Sequence, residues 1–280
     1  MRLIISRLLI TGIFMGHVGV FAARGSDPYA DSVVSYDVGV GGAAGFDNPA
    51  VTLGSPERVT GELAGFPGVV SMFSGPFGTD ELFSIGTGGH LTVRFDEPVT
   101  DAASHKFGVD LIVFGNAFFS GSFPDGTHTD PAGIFSEPAM IEVSADGVTF
   151  FEVPDVFADA LFPTQGYRDA GPFDASPGSV PTGFRIPVNP ALALSDFDGL
   201  SFADALDLYD GSGGGTPVDL ADAVDGLGQP AGLTEASYVR ITPIGGATPE
   251  IDAFVAVPEP GTAALLLAGI GVAMVRRRTG

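Results

Sequence analysis

The chain has 280 residues, no cysteine and a formal net charge of −22, with 34 acidic residues against 12 basic ones. This charge repels nucleic acid and anionic lipid headgroups, so neither is an expected partner of the folded protein. A chain without cysteine has no disulfides, no thiol nucleophile and no cysteine-bound metal. The 41 glycines and 22 prolines indicate many turns, whereas a hydrophobic content of 45% is too high for a disordered chain.

The N-terminus has the pattern of a secretory signal peptide. A basic start precedes an apolar run over residues 8–20, and small residues follow this run. Cleavage after Ala22 would place Val20 at position −3, and neighbouring cleavage sites also fit the pattern. The run is short for a membrane anchor, which needs about 20 apolar residues. We therefore predict a helical, cleaved signal peptide over residues 1–24.

Segments of strand length recur through residues 25–257. Residues 89–95 alternate between apolar and polar, which is the period of a strand with one buried face. Residues 109–114 form a continuous apolar run, as in a strand that is buried on both faces. Four further strands are predicted, at residues 140–144, 148–153, 238–242 and 251–257.

Turn and cap signals complete this prediction. The pair Asp146-Gly147 lies between two of the strands and is a strong hairpin signal. Ser201 and Thr216 each have an acidic residue three positions later, which predicts two short helices, and Pro217 would take the first position of the second. We therefore expect an all-β fold over residues 25–257, a single jelly-roll-like β-sandwich with a few short surface helices.

The C-terminus has three features in a fixed order. Two prolines follow the last predicted strand and end it, an apolar segment covers residues 262–275, and three arginines come next. We predict a short membrane helix whose arginines stay in the cytoplasm. A buried terminal helix of the body is the alternative, but three arginines directly after an all-round apolar segment argue against it. The residues that define this tail are Val257, Pro258, Glu259, Pro260, Arg276, Arg277 and Arg278.

This tail, over residues 258–280 with Val257 before it, resembles the PEP-CTERM sorting signal of exported bacterial surface proteins. The resemblance implies that the secretion machinery exports the chain and that the membrane enzyme exosortase recognises the tail and cleaves it. Glu259 would then be a recognition residue. The implied location is the cell envelope, the outer surface or the exopolysaccharide matrix, after transient anchoring of the apolar helix in the inner membrane.

The middle of the chain also resembles a group of bacterial surface proteins that carry such tails. The similar segments are residues 89–101, 110–118, 141–153, 215–224, 238–241 and 251–254. Gly115 stands where that group has glutamate, so any role of this glutamate is lost here. The hairpin around Asp146 is similar to that of discoidin-like and galactose-binding-like modules. The resemblance implies a β-sandwich or jelly roll with no established activity.

Acidic and amide side chains near strand ends offer a candidate calcium site. Ca²⁺ takes six to eight hard oxygen ligands, which carboxylates, amides and loop carbonyls supply. We therefore take Asp110, Asn116, Asp219 and Asp252 as candidate ligands, since one ion would join several loops in a chain without disulfides. The alternative is that these residues are caps, turn residues and solvated charges, and the sequence leaves both open.

Neither a catalytic nor a zinc motif stands out in the sequence. No Gly-x-Ser-x-Gly elbow is present, and His90, His105 and His128 lack the spacing of metal ligands, so we expect them to be solvated loop residues. We accordingly predict a non-enzymatic structural protein of the surface or the exopolysaccharide matrix.

Two other functions remain open at this stage. In a carbohydrate-binding module, Asn116, Asp125 and Asp130 would supply polar contacts, and an exposed aromatic strip would favour this function. A glycan-active enzyme would need only two carboxylates at a fixed separation.

Overall fold

The computed structural model describes residues 27–121 and 132–258, and β-structure dominates both ranges. The strands are β1 Ser32–Asp37, β2 Val59–Thr60, β3 Gly68–Val69, β4 Phe83–Ser84, β5 His90–Thr100, β6 Leu111–Gly115, β7 Phe118–Ser120, β8 Gly133–Phe135, β9 Ala139–Ser144, β10 Phe151–Ala158, β11 Thr216–Val218, β12 Glu235–Pro243 and β13 Glu250–Ala256. The helix α1 spans Phe202–Leu208, and short 3-10 helices span Pro49–Thr52, Lys106–Gly108, Leu194–Phe197 and Leu220–Asp222.

The strands form two larger sheets and two small ones. One sheet has five strands in the order β1-β5-β12-β9-β10, and the other has four in the order β11-β6-β13-β4. Strands β2 and β3 form one small pair, and β7 and β8 form another. All pairings between these strands are antiparallel. The prediction of a mostly β protein with few helices is therefore confirmed.

The two larger sheets contribute side chains to one hydrophobic core. Leu91, Val93 and Phe95 of β5 are buried in this core, as their alternation predicts. The other members from the five-stranded sheet include Ile141, Val143, Val239 and Ile241, and those from the four-stranded sheet include Phe83, Leu111, Val113, Val218, Ile251 and Phe254. The outer face of the five-stranded sheet is thereby left to residues at the alternate positions.

Strand β6 is buried on both faces, as its continuous apolar run predicts. Leu111 and Val113 belong to the shared core, whereas Ile112 and Phe114 belong to a second cluster on the opposite face. The neighbouring strand β13 contributes to both clusters as well. Its register shifts between Ile251 and Ala253, which makes the intervening residue a bulge.

The predicted hairpin joins β9 to β10. Val143 pairs with Phe151, and the two strands run antiparallel. Asp146 closes the loop by accepting hydrogen bonds from the backbone N–H groups of Val148 and Thr149, both at 2.8 Å. The second strand therefore begins at residue 151 and not at residue 148, because these bonds hold the intervening residues in the loop.

One of the two helix predictions is confirmed, whereas the other is confirmed only as a short 3-10 helix, Leu220–Asp222, whose cap is Asp219 and not Thr216. Ser201 caps α1, and its hydroxyl accepts a 3.2 Å hydrogen bond from the N–H of Asp204. The segment after Thr216 is strand β11, in which Pro217 pairs with Ile112 of β6. Strand β11 lies at the edge of its sheet, where the missing N–H of proline is tolerated.

The predicted terminal helices, over residues 1–24 and 262–275, lie outside the described residues. Among residues 27–121 and 132–258, no helix is both long enough and apolar enough to cross a membrane.

Candidate functional site

Three aspartates meet at one end of β6. Asp110 immediately precedes this strand, Asp101 follows β5, and Asp219 caps the 3-10 helix after β11. One carboxylate oxygen from each lies within 4.8 Å of the others. Three converging carboxylates provide the hard oxygen ligands that a divalent cation prefers, so this aspartate trio is the candidate metal centre of the described residues.

Asp110 is the buried member of the aspartate trio. Its carboxylate accepts hydrogen bonds from the N–H groups of Leu220 at 2.9 Å and Ala102 at 3.3 Å. Nδ1 of His105 lies 2.7 Å from the same carboxylate, and both side chains are fully buried. Burial raises the pKa of Asp110, while the hydrogen bonds from Leu220 and His105 oppose that rise.

Asp219 is half-buried, and its pKa is affected by the neighbouring acidic side chains. Burial raises its pKa, and the nearby carboxylates of Asp110, Asp222 and Asp101 raise it further. Its Oδ1 accepts a 2.8 Å hydrogen bond from the N–H of Ala221. A cation within the trio would relieve the repulsion between these groups.

Asn116 lies at the other end of β6, in a different carboxylate cluster. Its amide donates a short hydrogen bond to Glu250, and its Oδ1 is buried without a partner among the described residues. Asp159 accepts from the N–H groups of Ala117 at 2.8 Å and Glu250 at 3.0 Å. Burial, with repulsion from Glu137, raises the pKa of Asp159 and that of Glu250 to about 7 each.

Asp252 occupies the bulge of β13. It is buried, and its carboxylate accepts a 3.0 Å hydrogen bond from the N–H of Glu57. Burial raises the pKa of Asp252 well above its usual value, and it raises that of Glu57 to about 7 together with repulsion from Glu81. Glu81 is itself buried and accepts bonds from the N–H groups of residues 61, 77 and 78.

The structure thus brings together two of the four predicted calcium ligands, Asp110 and Asp219, and adds Asp101. Asp110 and Asn116 flank a five-residue strand, so their backbones are about 20 Å apart at 3.3 Å per residue. One ion that contacts Asp110 and Asp219 cannot also contact Asn116. Asp101 carried no signal of its own, because β5 and β6 belong to different sheets and only the packing of the two sheets brings the end of β5 near the start of β6.

A groove of about 590 Å³ crosses the outer face of the five-stranded sheet. We call it the polar groove. Its floor contains Ser35 of β1, Thr92 of β5, Arg240 of β12 and Glu142 of β9, which are directly paired across the four strands. A second row beside them contains His90, Thr242 and Met140.

Arg240 and Glu142 form an ion pair in the floor of the polar groove. Nε and Nη2 of Arg240 donate to the two carboxylate oxygens of Glu142 at 2.6 and 2.5 Å. The guanidinium lies 3.9 Å from the centre of the Phe150 ring. Two bonds and a stacked ring hold the guanidinium in one orientation.

The histidine predictions have different outcomes. His90 lies in β5 in the polar groove, where its Nε2 is 3.1 Å from the hydroxyl of Ser35. His105 is buried beside Asp110, so the expectation that it is a solvated loop residue is wrong; the carboxylate provides the partner that lets an imidazole be buried. His128, Asp125 and Asp130 lie outside the described residues.

The folded body ends where the sorting tail begins. The N–H of Ala256 in β13 donates to the carbonyl of Pro28 at 2.7 Å, and that of Val257 donates to the carbonyl of Asp110 at 2.8 Å. Val257 is buried, with 8% of its surface exposed. Val257 therefore packs with the body, and the tail leaves the fold from an interior strand. Glu259, Pro260 and Arg276–Arg278 lie outside the described residues.

Comparison with known families identifies this C-terminal segment. A family model described as the PEP-CTERM protein-sorting motif matches residues 256–278. No curated protein matches the chain. The motif is the signal of an exported protein that exosortase processes, and the predicted resemblance of the tail is confirmed at this level.

Proposed function

We propose that this chain is a non-enzymatic structural protein, exported and sorted by exosortase to the cell surface or the exopolysaccharide matrix. The observation that carries the proposal is the sorting motif at residues 256–278, directly after the last strand of a packed body. A structural role agrees with a sequence that has no nucleophile elbow and no histidine spacing typical of a catalytic zinc site. Incubation with neutral and acidic polysaccharides would test the absence of hydrolysis.

The junction between body and tail supports removal of the tail after folding. Val257 is anchored by its backbone bond to Asp110 and by burial of its side chain. Cleavage beyond this residue leaves every strand of the body intact. Before cleavage, residues 262–275 would enter the inner membrane, with Arg276, Arg277 and Arg278 in the cytoplasm. Exopolysaccharide is the proposed partner after release.

The body is proposed to be one jelly-roll-like β-sandwich over residues 25–257, related to discoidin-like and galactose-binding-like modules. Its support is that the two larger sheets share one hydrophobic core. Residues 1–24 are proposed to be removed as a signal peptide.

The sorting proposal is tested at the residues of the motif that do not pack with the body. Replacing Pro258, Glu259 and Pro260 by alanine should leave an uncleaved chain in the membrane fraction, detected by its size and by fractionation. Val255→Ala is the matched control, because it removes a buried side chain of β13 outside the motif and should lower the stability of the body without blocking cleavage. Normal release of the triple variant would refute the proposal.

Calcium binding at the aspartate trio is also part of the proposal. Its support is the convergence of three carboxylate oxygens within 4.8 Å. Burial and then repulsion from the neighbouring carboxylates raise the pKa of Asp219, and a divalent cation would offset that repulsion. Asp101 and Asp219 would be ligands alongside the remaining lone pairs of Asp110.

Thermal unfolding with EDTA and then with added Ca²⁺ tests this site. A ligand at 100 times its dissociation constant stabilises a protein by about 2.7 kcal/mol, so added Ca²⁺ should raise the unfolding temperature by several degrees. Asp101→Asn should abolish the rise. Asp96→Asn, another exposed acid, should leave it unchanged. If the thermal unfolding midpoint of the unaltered protein were the same with EDTA and with added Ca²⁺, the proposed calcium site would be refuted.

A further inference from the structure

We propose that the polar groove on the outer face of the five-stranded sheet binds an uncharged polysaccharide chain. This assigns a ligand to a surface that lies outside the sorting tail and its processing. Three properties of the groove lead to that ligand: its length, its hydrogen-bonding groups and its charge.

The length of the polar groove fits an extended chain. Ser35, Thr92, Arg240 and Glu142 form a straight row across four neighbouring strands. Strands in a sheet lie about 4.8 Å apart, so the row is about 14 Å long. With a volume of about 590 Å³, the groove has room for a short stretch of oligosaccharide lying across the strands.

The hydrogen-bonding groups of the groove suit hydroxyl ligands. A sugar hydroxyl both donates and accepts, so its site needs fixed groups of each kind. Arg240 uses two of its five N–H groups on Glu142, which leaves three donors on a guanidinium that is already held in place. The hydroxyl of the half-buried Thr242 has no hydrogen-bond partner within the described ranges and can donate or accept, whereas Thr92 is buried beneath the groove with 4% of its surface exposed. Such preorganisation lowers the entropy lost on binding.

The charge of the groove selects a neutral chain. The positive charge of Arg240 is cancelled by Glu142, the one carboxylate in the lining. Residues 25–257 carry six basic and 33 acidic residues, a net charge of −27, which repels a polyanion before it reaches the groove. A polyuronate is therefore disfavoured, whereas a neutral glycan meets no electrostatic barrier.

Binding is measured with the full chain in a detergent without sugar headgroups, since a glycoside detergent would compete. The probes are a neutral glucan, galactan and mannan together with a polyuronate, each cast in a native gel or titrated calorimetrically. We expect at least one neutral polysaccharide to bind. Arg240→Gln should weaken binding at least tenfold, and Thr242→Val, which keeps the side-chain shape, should weaken it severalfold.

Two control variants locate the site. Arg185→Gln makes the same charge change at an exposed position outside the groove and should bind as the unaltered protein does. Phe77→Ala alters a separate cavity, lined by Phe73, Asn116 and Phe118, and should also bind normally.

Three results would overturn the proposal. No neutral polysaccharide binds, the polyuronate binds more tightly than the neutral chains, or Phe77→Ala weakens binding while Arg240→Gln and Thr242→Val do not. Because export plays no part in the assay, failure here leaves the sorting proposal intact.

Discussion

Carboxylates inside this protein differ in behaviour from those on its surface. Asp159 and Asp169 each accept two backbone N–H hydrogen bonds. Burial nevertheless raises the pKa of Asp159 to about 7, whereas the bonds from Ser179 and Val180 lower the pKa of the exposed Asp169 to about 2. Desolvation accounts for the difference, because it disfavours only the buried anion. Acidity on the surface keeps the protein soluble, but acidity in the interior destabilises the fold at neutral pH.

The interior carboxylates have a structural use that offsets this cost. Each one accepts hydrogen bonds from backbone that is far away in sequence: Asp252 from Glu57, and Asp110 from Leu220. They satisfy N–H groups at bulges and strand ends, where regular pairing fails. In a chain without disulfides, these acids connect loops that would otherwise have few mutual contacts.

Removing an interior carboxylate should have the largest effect. Asp110→Ala leaves His105 and the N–H of Leu220 buried without a partner, which should lower the free energy of unfolding by about 4 kcal/mol. Urea unfolding measures this change. Asp219→Ala removes a cap at the same place and should cost only about 1 kcal/mol. Equal losses of unfolding free energy from the two variants would contradict the expected difference between the fully buried Asp110 and the half-buried Asp219.

The pH dependence of stability should come next in size. Folded Asp159 keeps its proton up to about pH 7, whereas the unfolded side chain loses it near its usual pKa of 3.8. The stabilisation is therefore complete below pH 3.8 and is lost as the pH rises through about 7. One such group should lower the free energy of unfolding by about 3 kcal/mol between pH 5 and pH 8.

Asp159→Asn isolates that contribution. Asparagine tolerates the positive φ of this residue, +52°, so the backbone should keep its conformation. The variant should show a clearly shallower loss of stability from pH 5 to pH 8, with the remainder coming from the other carboxyl groups whose pKa is raised, among them Glu250 and Glu57. The free energy of unfolding is measured in urea at each pH. If its change from pH 5 to pH 8 were the same in the variant, Asp159 would be ionised at neutral pH in the folded protein.

The regular parts of the fold were predictable because their periodicity is local. The alternation of Leu91, Val93 and Phe95 and the cap at Ser201 each need only a few residues of sequence, and both were found in the structure. Strand β11 was not predicted, because the cap-like pattern at Thr216 is outweighed by pairing with β6, which is about 100 residues earlier. Strand β1 was missed for the same reason, since its pairing with β5 defines it.

The candidate sites depend even more on contacts between segments that are far apart in the sequence. Arg240 and Glu142 are ordinary outward residues of two predicted strands, and only the register places them opposite each other. Likewise, a sequence with 34 acidic residues gives no sign that Asp101 joins Asp110 and Asp219. Ligand chemistry suggested candidate residues, whereas topology decides which of them meet.

The smallest of these effects, with the opposite sign, should come from Asp169. Its lowered pKa means that its stabilisation is present above the usual pKa of 3.8 and is lost as the pH falls through about 2. Asp169→Asn should therefore lower the urea midpoint slightly at pH 7, and the difference from the unaltered protein should vanish near pH 2. Exposure to solvent keeps the effect small, because water screens the charge. If this difference instead grew toward acid pH, as the stabilisation from Asp159 does, the contrast between surface and interior carboxylates would fail.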